Sequence, residues 1–320
     1  MGKVPLPDGT DMAVLDQRTW GMRSAVYGAY ALLGLIWGSN FIFVKWAAIS
    51  IGPAQIVLLR VVFGFLPLLI FALATQSLHW RHLRHIHHFM VMALVATALY
   101  YVAFANGTVL LLSSVAGMLS GAIPLFTFVT AWLFLRDELL NCRTVGGALL
   151  GFVGVLLIAR PWSGDIGQVS VAGVLWMVAG SLSVGCSFVY ARKFISPLGL
   201  SPLALTTYQI GLALIVLLLV TDQHGITRIF ADRRATIGLV LGLGLCGTGL
   251  AYILYYSIVD RLGAIVASGV TYIPPVVALI IGVVWVGDPV RPLDYVAMAA
   301  ILAGVGVLQS GRGVRKVVAR

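Results

Sequence analysis

Two polar side chains lie within strongly apolar sequence near the start of the chain. The segment LIWGSNFIFVKWAAISIGPAQIVLLRVVFG (residues 35–64) contains Asn40 and Arg60, both flanked by apolar residues. An arginine deep in a membrane span costs about 3 kcal/mol on insertion scales, so it usually faces a cavity or a partner. Arg60 is therefore a candidate contact for the carboxylate of a bound solute. The alternative is an arginine that snorkels to the interface or pairs with a helix-end carbonyl.

The residues around Asn40 form a small, polar interruption of the first apolar run. Trp37, Ser39 and Asn40 are candidates for the wall of a solute pathway, where the Asn40 amide offers both a donor and an acceptor. Packing between helices is the alternative interpretation. It explains Ser39 at least as well, because Gly34 and Gly38 form a pair of small residues one turn apart.

Two other polar features are better explained by the membrane surface. Lys45 closes the first apolar run beside Trp46, and both residue types commonly anchor helix ends at the interface. The segment HWRHLRHIHH (79–88) could bind zinc or nickel, but it contains no carboxylate or thiolate. We interpret it as a basic loop facing the membrane surface, so no metal and no cofactor are predicted.

Aromatic residues and prolines inside apolar runs predict a cavity wall and helix breaks. The aromatic residues share helix faces, although core packing and interfacial belts are an alternative explanation for them. Prolines that remove a backbone donor are candidates for hinges or gates: Pro124, Pro274 and Pro275. The clustered aromatic residues are Tyr100, Tyr101, Phe104, Tyr252, Tyr255 and Tyr256.

The elements that must position these side chains are membrane helices. Of the 320 residues, 60% are hydrophobic and 10% are charged, which a water-soluble domain could not cover. Continuous rather than alternating apolar runs indicate helices instead of a barrel. We therefore predict an all-α polytopic membrane protein with ten spans: 24–44, 54–74, 88–107, 109–135, 144–160, 171–191, 203–221, 235–257, 264–286 and 294–311.

The distribution of positive charge predicts the orientation. The net charge of +10 does not indicate a nucleic-acid partner, because Lys and Arg are concentrated in alternate loops. These loops place both termini in the cytoplasm of a bacterium whose cytoplasmic membrane holds the chain. The basic segment FADRRAT (230–236) falls on the opposite side and leaves open an error of one helix nearby.

The carboxylates, cysteines and catalytic motifs do not point to a proton relay, a metal site or an enzyme. All eleven acidic residues fall in tails, loops or helix ends, so no buried carboxylate is expected to relay protons. Cys142, Cys186 and Cys246 are interpreted as packing residues rather than disulfides or metal ligands. Because no protease, nucleotide-binding or hydrolase motif occurs on a suitable element, we do not expect an enzyme.

An internal repeat organises the chain. Sliding it by about 150 residues places 112–126 on 262–276 and Pro124 on Pro274, and an acidic residue follows in both copies, Glu138 or Asp288. Five helices is an odd number, so the second copy must enter the membrane from the opposite side. Inverted repeats around a central site are typical of carriers that work by alternating access. The predicted units are a tail (1–23), two five-helix repeats (24–160 and 171–311) and a basic tail (312–320).

The chain resembles the EamA-type transporters of the drug/metabolite transporter superfamily. The resemblance rests on LIWGSNFIFVKWA (35–47), LLRVVFG (58–64), SSVAGMLSGAIPLFTFVTAWLFLRDELL (113–140) and LGAIVASGVTYIPPVVALIIGVVWVGD (262–288). It implies ten helices in two inverted units around a cavity, usually serving the export of amino acids or other small metabolites. Two departures argue against a symmetric ion-binding role for the two halves: Asp288 stands where the pattern has Glu, and Gln209 stands opposite Arg60.

The resulting hypothesis is a secondary transporter whose partners are a small-molecule substrate and the lipid bilayer. A passive channel is the main alternative, and a membrane-embedded enzyme is the other. Neither the substrate, the coupling ion nor the oligomeric state can be read from the sequence. The hypothetical substrate-binding residues are Trp37, Ser39, Asn40, Arg60, Tyr101, Gln209 and Tyr252.

Overall fold

The regular structure is entirely helical in the part of the chain that the computed structural model describes, namely residues 9–134, 141–160, 169–255, 257–258 and 269–313. Side chains are described from Tyr27 onwards. In chain order the helices are α1 (Gly9–Ala48), α2 (Pro53–Ala74), α3 (Trp80–Leu110), α4 (Ser113–Phe134), α5 (Cys142–Ala159), α6 (Val171–Leu198), α7 (Pro202–Val220), α8 (Arg233–Tyr255), α9 (Val270–Val286) and α10 (Pro292–Gly313).

These helices coincide with the predicted membrane spans. Among the described residues, eight are long and apolar enough to cross a membrane, counting α1 from Tyr27. The other two, Val270–Val286 and Pro292–Leu308, form shorter apolar helices. Every predicted span overlaps one of the helices, which confirms an all-helical, multi-pass integral membrane protein.

The first helix begins before the first predicted span. Helix α1 begins at Gly9, so much of the tail predicted over 1–23 is continuous with the first helix. Pro5 and Pro7 precede this start, and no proline interrupts the helix after it. Residues 1–8 and 314–320 of the two predicted tails, and Glu138 of the repeat, lie outside the described residues.

The proline-containing helices are interrupted where the sequence predicts. Helix α4 consists of Ser113–Ser120 and Ile123–Phe134, with a turn between them just before Pro124. Helix α9 opens with a short 3-10 turn, Gly269–Tyr272, and the first turn of its α-helical part, Ile273–Ile281, contains Pro274 and Pro275. Proline is favoured in the first turn of a helix, where its missing N–H costs nothing.

Four of the described helices contain π-helical segments that the apolar pattern did not predict, and in two of them, α3 and α8, the segment includes a buried polar residue. In α3 the segment is Leu94–Ala98, and in α8 it is the longer Gly238–Leu250. Such segments are rare and often occur at functional sites. The buried polar residue is a threonine in both helices, Thr97 in α3 and Thr248 in α8.

The helices pack in reciprocal pairs between a first half (α1–α5) and a second half (α6–α10). Helix α1 packs on α9 and α8, as α6 packs on α4 and α3. Helix α2 packs on α8, as α7 packs on α3. The pairs α2–α7, α4–α9 and α5–α10 join equivalent helices of the two halves. Exchanging the halves therefore reproduces these pairs.

The α5–α10 seam brings two backbones together through glycines. A Cβ atom on Gly147 would lie 2.5 Å from the Gly304 carbonyl oxygen, and one on Gly154 would lie 2.6 Å from that of Ala297. No side chain fits there, so the glycines serve close helix packing, as predicted for Gly147.

A buried ion pair joins the ends of the same two helices. Arg160 Nη2 contacts Asp294 Oδ1, and both side chains are about nine-tenths or more buried, at 6% and 5% exposure. The expectation that no carboxylate is buried is therefore wrong for Asp294. Its position at a helix start was predicted, but its burial depends on Arg160, which lies 134 residues away in sequence.

The start of α8 lies at the same end of the bundle as the end of α1. The Arg234 guanidinium carbon lies over the Trp46 ring, 4.0 Å from its centroid. Asp232 caps α8 by accepting hydrogen bonds from the Arg234 and Ala235 amides, at 2.8 and 3.3 Å. FADRRAT therefore leads directly into α8, and the contact agrees with strict alternation of the predicted spans.

Candidate functional site

A cavity of about 290 Å³ lies among the helices of both halves. Its walls come from α1 to α4 and from α6 to α9, while α5 and α10 contribute nothing to its lining. The volume corresponds to roughly ten water molecules at about 30 Å³ each, which is the size of a small metabolite.

Arg60 occupies the wall where α2 meets α8. Its Nε donates to Thr248 Oγ1 at 3.0 Å, and its Nη2 donates to the Gly247 carbonyl at 3.3 Å. The Thr248 hydroxyl donates its own proton to Leu243 O at 3.0 Å, so it can only accept from Arg60. The guanidinium also stacks on Tyr101, with Cζ 4.0 Å from the ring centroid. Arg60 is therefore fixed in direction and does not snorkel out of the bundle.

Asn40 completes this arrangement from α1. Hydrogen bonding orients the amide so that its oxygen accepts from Arg60 Nη2 at 3.2 Å and its nitrogen donates to Ile36 O at 3.2 Å. The adjacent glycine in α8 makes room, because a Cβ atom on Gly247 would lie 2.5 Å from the Asn40 amide. Arg60 Nη1 makes no hydrogen bond with any of the described residues, and Arg60 lines the cavity.

Gln209 stands at the equivalent place in the other half. It lies on α7, and its Nε2 donates to Thr97 Oγ1 in the π-helical segment of α3 at 2.9 Å. Its side chain lines the cavity although the residue is only 4% exposed. Within the described part of the chain, its Oε1 accepts no hydrogen bond, so the cavity has an amide acceptor as well as the Arg60 donor.

Aromatic rings supply much of the remaining wall. Trp37 lies 6.0 Å from Tyr255 between ring centroids, and Tyr100 lies 4.9 Å from Tyr101 and 4.7 Å from Phe104. Tyr252 lines the cavity as well. A solute with an apolar or aromatic body can be accommodated by such rings.

The structure places most of the predicted site residues together. Trp37, Asn40, Arg60, Tyr101, Gln209, Tyr252 and Pro274 all line the cavity. Ser39, Pro124 and Pro275 do not. Neighbouring residues of a helix point about 100° apart, so Ser39 points away from the wall that Asn40 lines. The Ser39 hydroxyl donates instead to Ile36 O within α1, at 2.8 Å.

Lys45 has a more specific contact than an interfacial anchor. Its Nζ donates to the Val109 carbonyl at 3.0 Å, at the C-terminal end of α3, where lysines commonly satisfy free carbonyls. Close to this end of the bundle, Asp288 Oδ2 accepts from both hydroxyls of Ser113 and Ser114, at 3.0 and 2.8 Å. Asp288 thus binds the start of α4 to the end of α9.

The described residues contain no candidate metal site. No group of three His, Cys, Asp or Glu side chains there could hold a metal ion. The histidine-rich segment begins α3, where the His88 Nδ1 and Tyr190 hydroxyl lie 2.7 Å apart. The segment predicted to be a loop (79–88) is therefore helical from Trp80 onwards.

Three residues at this site, Thr97, Thr248 and Gly247, carry no clear functional signal in the sequence. Thr97 and Thr248 look like ordinary packing residues in an apolar run, because helix threonines usually bond their own backbone. The glycine-rich run GLGLCGTGL (242–250) was the only available signal that α8 might depart from regular α-helical geometry.

Apolar helices around a solute-sized, partly polar cavity define a multi-pass integral membrane protein with an internal cavity. The sequence matches the model of the EamA-like transporter family over residues 25–160 and 171–309. The chain therefore belongs to the EamA-like transporter family, as its motifs suggested.

The relatives are consistent with this assignment. "Uncharacterized transporter YdfC" of Bacillus subtilis is 26% identical over 87% of this chain and 88% of its own length. "Uncharacterized inner membrane transporter YedA" of Escherichia coli K12 is 23% identical over 90% of this chain and 91% of its own length. Together with the family, these names indicate a membrane transporter rather than an enzyme.

One solved structure supports the fold. It is described as "Crystal structure of protein", has a TM-score of 0.58 at 20% identity, and covers 89% of this chain and 96% of its own. At this identity the similarity concerns the fold alone.

Proposed function

We propose that this chain is a secondary transporter that exports small metabolites, such as amino acids or their derivatives, by alternating access. The observation that carries the proposal is the fixed Arg60 in a cavity whose walls come from both halves. A membrane-buried guanidinium is costly, and a cavity that can receive an anionic group explains why it is retained.

In the proposed architecture, ten membrane helices form two inverted five-helix repeats. The reciprocal packing pairs support this arrangement, as do the equivalent positions of Arg60 and Gln209. The breaks beside Pro124, Pro274 and Pro275 are the proposed points where α4 and α9 bend as access alternates. The distribution of Lys and Arg supports cytoplasmic termini in a bacterial cytoplasmic membrane.

In the proposed binding mode, Arg60 and Asn40 hold the polar end of the solute. Trp37, Tyr101 and Tyr252 surround its apolar body, while Gln209 contacts a group at the far side. Ser39 has no part in this mode, since its hydroxyl is bonded within α1.

Efflux from proteoliposomes tests the proposal. The vesicles are loaded with a mixed pool of amino acids and related metabolites, and released solutes are identified by mass spectrometry with and without a pH gradient. We expect selective, saturable release and counterflow, which a passive channel would not give. Release no greater than from protein-free vesicles, with folded protein present, would contradict the proposal.

A further inference from the structure

We infer that the solute carried in this cavity is a monoanion: one carboxylate, an apolar or aromatic body, and an uncharged hydrogen-bond donor instead of an ammonium group. The inference rests on the proposed transport function and narrows its substrate class. An N-acylated amino acid or a hydroxy acid has this chemistry, whereas a free amino acid does not.

The charge of the cavity is the first argument. Arg60 is its one charged lining residue in the part of the chain that the structure describes. A monoanion beside Arg60 gives a neutral site, while a zwitterion leaves a net positive charge among apolar helices. An ammonium group would also be buried without a carboxylate partner among the described lining residues, which is costly in a low-dielectric interior.

The geometry of Arg60 is the second argument. Its Nε and Nη2 donate hydrogen bonds to Thr248, Gly247 and Asn40. The Tyr101 ring covers one face of the guanidinium plane. Nη1 remains for a ligand and carries two protons on the edge of a planar group. A guanidinium edge is well suited to a carboxylate oxygen, because the hydrogen bond is charge-assisted.

The opposite polar group is the third argument. Gln209 presents an uncharged acceptor, Oε1, while its Nε2 is engaged by Thr97. An amide N–H or a hydroxyl satisfies such an acceptor fully. An ammonium group would find one carbonyl oxygen there, with two further protons to satisfy.

The inference is tested by the binding of four phenylalanine compounds that differ in charge. The protein in nanodiscs is titrated at pH 7 with N-acetyl-L-phenylalanine, L-phenylalanine, L-phenylalaninamide and N-acetyl-L-phenylalaninamide. The corresponding leucine compounds provide a second side chain. We expect the N-acetyl acid to bind about tenfold or more tightly than the zwitterion for at least one side chain, and the amides to bind more weakly still.

Substitutions at the two polar positions should change this order. Arg60→Gln should reduce the preference for the acid over the neutral amide by about tenfold to a hundredfold. The Arg60→Lys variant should still bind the acid more tightly than the amide. Gln209→Glu should reverse the order of acid and zwitterion, because it supplies a partner for the ammonium. Arg143→Gln, an exposed arginine at the start of α5, is the charge-removal control and should leave the order unchanged.

The outcomes separate this inference from the transport proposal. Tighter binding of the zwitterion or of a cation, or no saturable binding of either N-acetyl acid by the folded protein, overturns the monoanion assignment. Selective release in the mixed-pool efflux assay would then still support a transporter. Absence of release in that assay contradicts the transporter itself.

Discussion

The two halves of the protein make the same contact with different chemistry. In the first half, Arg60 on α2 reaches Thr248 in the π-helical segment of α8. In the second, Gln209 on α7 reaches Thr97 in the π-helical segment of α3. The contact is thus repeated in the two halves, while the charge is one-sided. Helix packing specifies the repeated contact, and the difference between Arg60 and Gln209 places the positive charge of the cavity on one side.

Removing Arg60 should have the largest effect. Arg60→Ala deletes the charge that distinguishes the halves, and we expect the transport rate at low substrate to fall about a hundredfold. Gln209→Ala removes an uncharged group and should cost about tenfold. Initial rates in proteoliposomes, normalised to inserted protein, measure both. Equal losses in the two variants would refute the one-sided assignment.

Removing the supporting hydroxyls should have the next largest effect. Thr248→Val leaves Arg60 Nε without its acceptor at nearly constant volume, and we expect about tenfold weaker substrate binding. Thr97→Val leaves an uncharged amide unpaired and should cost about threefold. Titrations of the two purified variants provide the measurement. A larger effect at Thr97 would reverse the expected order of the halves.

Filling the space beside Asn40 should have a smaller effect. Gly247→Ala places a methyl group 2.5 Å from the Asn40 amide, so the amide must move away from Arg60. We expect about fivefold weaker binding and lower thermal stability. Gly306→Ala is the matched control, since a Cβ atom there meets nothing within 4 Å. Indistinguishable melting and binding for the two variants would mean that the close approach at Gly247 is unimportant.

The stacking of Arg60 on Tyr101 should contribute least. Tyr101→Leu removes the ring over which Cζ lies at 4.0 Å, and we expect about threefold weaker substrate binding. Tyr101→Phe keeps the ring and should change binding by less than about twofold. Parallel titrations separate the two variants. If Tyr101→Phe proved the more damaging, the hydroxyl rather than the ring face would matter.

The sequence predicted the frame of the molecule well for a physical reason. A helix that crosses a membrane needs about 20 apolar residues, so composition alone locates it. Proline and short polar residues locate the ends, as at Asn141, which accepts a hydrogen bond from the Thr144 amide at 2.8 Å. Trp37, Asn40 and Arg60 were identifiable because their polarity is unusual in such runs.

Details that depend on long-range geometry could not be predicted. Two hydrogen-bond partners of Arg60, Thr248 and Gly247, lie on a helix of the other half, 188 and 187 residues away. The π-helical segments depend on packing between helices, and Thr248 becomes meaningful only when its neighbour is known. Ser39 adjoins Asn40 in sequence, yet helix rotation takes it off the cavity wall.

The contacts between α5 and α10 limit which helices can move apart. The α5–α10 seam contributes nothing to the cavity, its backbones touch at Gly147 and Gly304, and the Arg160–Asp294 pair closes one end. Parting that pair would strand a charge at a cost of about 3–5 kcal/mol. If access alternates as proposed, the seam keeps the two halves joined while the other helices move.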